Sequence, residues 1–152
     1  MKEEQARVYV NQYCRLRDLQ FSNYELYARK HGLTAKELFV LDIIWFAEDG
    51  CLQSEICERL SATKQTVSAI IKKFWKQGYV SMTESETDRR NKIIHFTSTG
   101  LEYAKQIIPP AASAEVDAMA ELTEKDSKEL VRLTTLFSNS MKIKFNEIKE
   151  RG

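Results

Sequence analysis

Eight Lys/Arg side chains against three carboxylates fall within residues 59–100, whereas residues 1–58 carry seven against ten and residues 101–152 eight against nine. The net charges of +5, −3 and −1 put all of the chain's positive excess in its middle, although the total is only +1. A localised cation excess is the footprint of a surface that binds a polyanion. Lys64, Lys72, Lys73, Lys76, Arg89, Arg90 and Lys92 lie in or directly beside two short stretches, residues 63–77 and 85–91, with only Arg59 outside them. Between these cations stand hydrogen-bonding residues, Thr63, Gln65, Thr66 and Ser68 in the first stretch and Asn91 in the second. A solvated basic helix face is the plainer explanation of such a run.

Other chemistries have little support. No glycine-rich phosphate loop and no Ser/His/Asp arrangement occurs, so the chain does not read as an enzyme. Cys51 and Cys57 are separated by five residues with no neighbouring histidine, which is not zinc-ligand spacing, and neither a metal nor a cofactor is expected. Cys14 stands beside Tyr13 and Arg15 with Arg17 nearby, a setting in which cations favour a thiolate; it is a candidate redox residue, with an incidental packed cysteine as the plainer reading. Three cysteines do not make a disulfide framework. The longest apolar run, residues 38–47, is broken by Asp42 and is short of the roughly 20 residues a membrane helix needs. With no apolar leader after Met1, the expected compartment is the cytoplasm.

The elements that position these residues follow from periodicity. Ala6, Tyr9, Tyr13, Leu16, Tyr24 and Tyr27 recur at helical spacing over residues 4–30, and His31-Gly32 closes that helix. Thr34 and Glu37 form a capping box that starts a second helix, residues 35–48. After a short strand come a third helix, residues 53–60, and a fourth, residues 64–77, separated only by Ser61-Ala62 and the N-cap Thr63. Helices joined so tightly must cross steeply. Val67, Ile70, Ile71 and Phe74 give the fourth helix one buried face, and the opposite face, Gln65, Ser68, Ala69, Lys72 and Lys76, carries no carboxylate. The period then changes to two, with Val80 and Met82, then Ile94 and Phe96, forming a β-hairpin whose connection projects Asp88, Arg89, Arg90 and Asn91 into solvent. Thr97 caps a fifth helix that Pro109-Pro110 must kink or break, and Thr123 caps a last helix carrying Leu130, Leu133, Phe137, Met141, Phe145 and Ile148.

The expected fold is therefore mainly α with a small β-hairpin. It has a winged helix-turn-helix core at residues 34–97, with helices at 1–33 and 98–152 outside it. In that arrangement the second helix of the pair enters the major groove of duplex DNA while the hairpin tip reaches backbone and minor groove. The expected contacts are Ser54, Thr63, Lys64, Gln65, Thr66, Ser68, Lys72, Lys73, Arg89, Arg90 and Asn91. Asp88 supports the wing, since an aspartate alone would repel phosphate.

Leu52-Gln53-Ser54-Glu55-Ile56, Thr63-Lys64-Gln65-Thr66-Val67-Ser68 and above all Asp88, Arg90, Lys92, Ile94, Phe96, Thr97 and Gly100 resemble the winged-helix core of MarR-family transcriptional regulators. The resemblance implies a homodimeric regulator, a repressor or an activator, whose first and last helices form the interface. The apolar positions of those helices, which lie outside the DNA-binding core, point the same way, and a symmetric dimer reads a pseudo-palindromic operator. It further implies release by an effector: a small aromatic ligand in a pocket lined by Tyr13, Tyr24, Tyr27, Trp45 and Phe46, or an oxidant acting at Cys14. From a different class, a winged-helix protein-interaction module without DNA binding remains the alternative.

Overall fold

The structure, a computed structural model, describes the backbone of residues 1–151 and the side chains of residues 1–148. Gly152, the end of the expected C-terminal segment, lies outside the described residues. The elements run α1 (Glu3–Lys30), α2 (Ala35–Phe46), β1 (Cys51–Leu52), α3 (Gln53–Leu60), α4 (Lys64–Lys76), β2 (Val80–Glu84), β3 (Lys92–Phe96), α5 (Ser98–Ala120) and α6 (Glu124–Arg151). The backbone divides into two compact units, Met1–Ile108 and Pro109–Gly152.

Local chemistry sets most boundaries. The Thr34 hydroxyl accepts from the Glu37 backbone N–H at 3.1 Å, and the Glu37 carboxylate accepts from the Thr34 N–H at 3.0 Å, so two orphan donors at the start of α2 are satisfied reciprocally. Between α3 and α4 the turn is made by Ser61 in the left-handed region (φ 46°), the only non-glycine residue with positive φ among those described. That conformation costs an L-residue roughly 1–2 kcal/mol. It is held by backbone N–H donation from Ser61 to Glu58 and from Ala62 to Cys57.

The expected hairpin is the larger part of a three-stranded antiparallel sheet in the order β1-β3-β2. Val80 pairs with Phe96 and Glu84 with Lys92, and the short β1 adds Cys51 opposite Ile94 on the free side of β3. The wing is thereby tied on one edge to the strand that leads directly into α3. Under it lies one core in which Phe74, Leu41, Ile56, Ile71, Ile94, Ile107 and Ile108 are almost wholly inaccessible.

The base of the wing depends on a glycine. The Thr97 hydroxyl donates to the Gly78 carbonyl and accepts from the Gly100 N–H, joining the end of β3 to the first turn of α5 and the loop before β2. The Tyr79 carbonyl comes so close that a Cβ on Gly100 would lie 1.7 Å from it. No side chain fits there.

Pro109-Pro110 does not break the helix: α5 is assigned without interruption from Ser98 to Ala120. Each proline removes one donor and frees one carbonyl, those of Lys105 and Gln106, whose side chains are exposed. The next carbonyl, of Ile107, accepts a 2.6 Å hydrogen bond from the Tyr27 hydroxyl of α1. Ala111 and Ala112, strong helix formers, continue the helix beyond the prolines.

Candidate nucleic-acid interface

The fourth helix presents two unlike faces. Val67, Ile71 and Phe74 are buried and Ile70 is half-buried, which fixes α4 on the core and turns Lys64, Gln65, Ala69, Lys72 and Lys76 outward. At its start the Thr63 hydroxyl accepts from the Thr66 N–H at 3.2 Å and lies 2.9 Å from the Thr66 hydroxyl, so both threonines serve the cap. Lys73 differs from its neighbours. Its ammonium donates to the Glu37 carboxylate of α2 at 2.5 Å, which ties it to the scaffold rather than to the outward row. Lys64, Gln65, Lys72 and Lys76 make no side-chain hydrogen bond or ion pair among the described residues.

Glu37 is the only buried charged residue among those described, with its side chain 9% exposed. Burial pushes its carboxyl up, but the donors from Lys73 and Thr34 outweigh that and hold it below the usual carboxylate range. Cys51 goes the other way. Burial, reinforced by the Glu55 carboxylate 3.4 Å from its sulfur, pushes its thiol up to about 12, which makes it a packing residue and not a nucleophile.

Beyond the last rung of the hairpin, where Lys92 pairs with Glu84 at 3.4 Å, the tip runs from Ser85 to Asn91. The Asp88 carboxylate accepts from the Arg90 backbone N–H at 2.9 Å, and the Asp88 carbonyl accepts from the Asn91 N–H at 3.1 Å. The aspartate therefore closes a turn in which its charge is occupied by backbone. The side chains of Arg89 and Arg90 are exposed and have no acidic partner among the described residues.

An open cleft of about 450 Å³ joins the three elements, lined by Gln53, Ser54 and Cys57 of α3, Lys64 of α4, and Asp88, Arg90 and Asn91 of the wing. The structure thus brings Ser54, Lys64, Arg90 and Asn91 together, while Gln65 and Lys72 lie farther along α4. Gln53 carried no role in the sequence reading. Its amide donates to the Ser68 hydroxyl at 2.6 Å, a pairing across 15 residues that no local spacing announces.

A family model described as the MarR family matches residues 31–91, the stretch that holds α2, the helix pair and the wing tip. Among curated proteins, the HTH-type transcriptional regulator PrsX of Escherichia coli is 35% identical over 78 residues, 51% of this chain and 47% of PrsX. The match thus spans about half the length of that relative. The HTH-type transcriptional regulator MgrA of Staphylococcus aureus is 27% identical over 123 residues, 81% of this chain and 79% of MgrA. Among solved structures, AbsC, a MarR family transcriptional regulator from Streptomyces coelicolor, is similar in fold with a TM-score of 0.76 at 19% identity, covering 93% of this chain and 97% of AbsC. The MepR-DNA complex of Staphylococcus aureus aligns with a TM-score of 0.69 at 20% identity, covering 84% and 97%.

The residues expected to form an effector pocket are distributed as follows. Tyr27 donates to the Ile107 carbonyl and meets His31 edge-on, and Tyr24 meets Phe39 edge-on with ring centroids 5.2 Å apart. Trp45 packs half-buried against the core, whereas Tyr13 and Phe46 are exposed. Cys14 is half-buried on α1.

Proposed function

We propose that the chain is a sequence-specific regulator of transcription that binds duplex DNA as a homodimer. The observation that carries this reading is the distribution of charge partners. Lys73 and Lys92 are tied to Glu37 and Glu84, while Lys64, Lys72, Lys76, Arg89 and Arg90, all exposed on α4 and the wing, have no carboxylate partner among the described residues. Phosphate is the partner that such a row fits. Gln65, exposed on the N-terminal turn of α4, is the residue suited to read base edges, because a carboxamide offers both a donor and an acceptor.

In this reading residues 34–97 contact DNA, while residues 1–33 and 98–152 supply the symmetric interface that spaces two wings along a pseudo-palindromic operator. The apolar side chains of α1 and α6 support the second part, since Leu16, Leu19, Leu133 and Phe145 are each about half exposed or more in the single chain. Repression follows where the operator overlaps the start of transcription. Its release falls to a small aromatic ligand at the Tyr13, Tyr24, Tyr27, Trp45 and Phe46 group or to oxidation at Cys14. The cytoplasm is the compartment this function requires.

The test is a gel-shift titration on the DNA upstream of the protein's own gene. Gln65→Ala is expected to change which sequences are preferred, and Lys72→Ala to weaken binding to all of them alike. Equal losses on every sequence for both variants would place base reading elsewhere, and no binding by the wild type would favour a protein-interaction module.

A further inference from the structure

The first turn of α3 lies between the wing and α4 and is bonded to both. Its N-cap, Leu52, offers no side-chain acceptor to the helix start. Asn91, 37 residues after Ser54, takes that role from the wing: its carboxamide oxygen accepts from the Ser54 backbone N–H at 3.4 Å, and its nitrogen donates to the Ser54 hydroxyl at 3.0 Å. The orientation of the amide is fixed by this pair, because a backbone N–H can only donate. The residue before Ser54 completes the joint, since Gln53 reaches the Ser68 hydroxyl on α4 at 2.6 Å. Within the tip, the Ser85 N–H donates to the Asn91 carbonyl at 3.2 Å, so the clamped residue is also where the loop closes. Arg90 is its immediate neighbour.

We propose that Gln53 and Ser54 form a positioning joint that sets the separation of the wing tip from α4, and that Asn91, Ser54 and Ser68 serve DNA binding through this geometry rather than by touching DNA. Without the joint the seven-residue tip is anchored only by the β2–β3 ladder, which ends at Glu84 and Lys92. Two hydrogen bonds to one side chain hold the tip against α3, and Arg90 meets its target already oriented. A contact made in advance removes an ordering cost from binding. The proposal rests on the DNA-binding reading above for what the wing serves, but the joint itself is a property of the free protein.

The experiment reads the two separately. Backbone relaxation of Thr87 to Arg90 is measured by NMR in the DNA-free protein for wild type, Asn91→Ala, Ser54→Ala and the double variant, alongside melting temperature and affinity for a 30-base-pair duplex from the upstream region. The expected result is a marked loss of order at the tip in each variant with little change in melting temperature. Each single substitution should weaken DNA binding about two- to tenfold, the range of one lost hydrogen bond. In the double variant the loss should be no greater than in Asn91→Ala alone, because the pair is one device, and Ser54→Thr, which keeps the hydroxyl, should restore both order and affinity. Wing amides as rigid in free Asn91→Ala as in wild type, or losses that multiply in the double variant, would overturn the joint and leave Ser54 and Asn91 as separate DNA contacts. Loss of tip order in the variants together with no duplex binding by wild type would instead refute the DNA-binding reading while upholding the joint.

Discussion

Helices α4 and α6 are both amphipathic, and they treat their apolar faces in opposite ways. In α4, Val67, Ile71 and Phe74 are at most 1% exposed, closed over by α2, α3 and the sheet. In α6 most of the stripe expected from the sequence stays open, with Leu130 46%, Leu133 49%, Phe145 60% and Ile148 64% exposed, while Phe137 is half-buried. None of the described side chains beyond Ile108 is buried. A 3.6-residue period reveals that a helix has an apolar face, and it is silent about what that face meets. For α4 the partner is in the same chain; for α6 the proposed homodimer supplies it.

The comparison is broken most sharply at the core. Phe74→Ala removes a fully buried ring and should cost about 3–5 kcal/mol of unfolding free energy. Chemical denaturation should show the same cost at every protein concentration. A cost under about 1 kcal/mol would mean that α4 is not held as described.

On α6 the corresponding change should act through association. Phe145→Asp should weaken dimerisation by about 2 kcal/mol, roughly thirtyfold in the dissociation constant and the scale of an interface anchor, which sedimentation would read as a concentration-dependent shift toward monomer. Because Phe145 is 60% exposed in the single chain, the winged core should keep its fold. An unchanged sedimentation profile would place the interface elsewhere.

A smaller effect sharpens the contrast between fixed and free cations. The Glu37 carboxyl is depressed below its unfolded value by Lys73 and Thr34, so its contribution is present above the unfolded pKa and disappears as pH falls through the lower, folded one. Stability measured from pH 6 down to pH 3 should therefore fall more steeply in wild type than in Glu37→Gln. That variant should be about 1 kcal/mol less stable near neutrality, where it has lost the charge-assisted bond, and should converge with wild type in acid. Parallel curves would mean that the pair with Lys73 adds nothing in solution.

The parts legible in the sequence are those that short spacing controls. Thr34 and Glu37 are three residues apart and announce their capping box; Val67, Ile71 and Phe74 announce the core face of α4; the alternation around Val80 and Ile94 announces the paired strands. What was not legible depends on residues that meet only after folding: Lys73 with Glu37 across 36 positions, Asn91 with Ser54 across 37, and Tyr27 with Ile107 across 80. For the same reason a cation, a hydroxyl and an amide that the sequence counts alike separate in the structure into scaffold bonds and open contacts. The proline pair misleads because its rule concerns lost donors. In α5 the prolines free only the carbonyls of Lys105 and Gln106 within a long helix, and Tyr27 supplies the adjacent Ile107 carbonyl with a partner.

The central claim is that the unpaired cations of α4 and the wing grip DNA phosphates. It is tested most directly by the salt dependence of binding for wild type and Arg90→Ala on the upstream duplex. Arg90 is exposed and its side chain makes no hydrogen bond or ion pair among the described residues, so the variant should melt within about 0.5 kcal/mol of wild type. Its affinity should nevertheless fall by about 1–3 kcal/mol, roughly tenfold or more, and the slope of log affinity against log salt should shrink by about one unit. Wild-type affinity and slope in Arg90→Ala would contradict the claim.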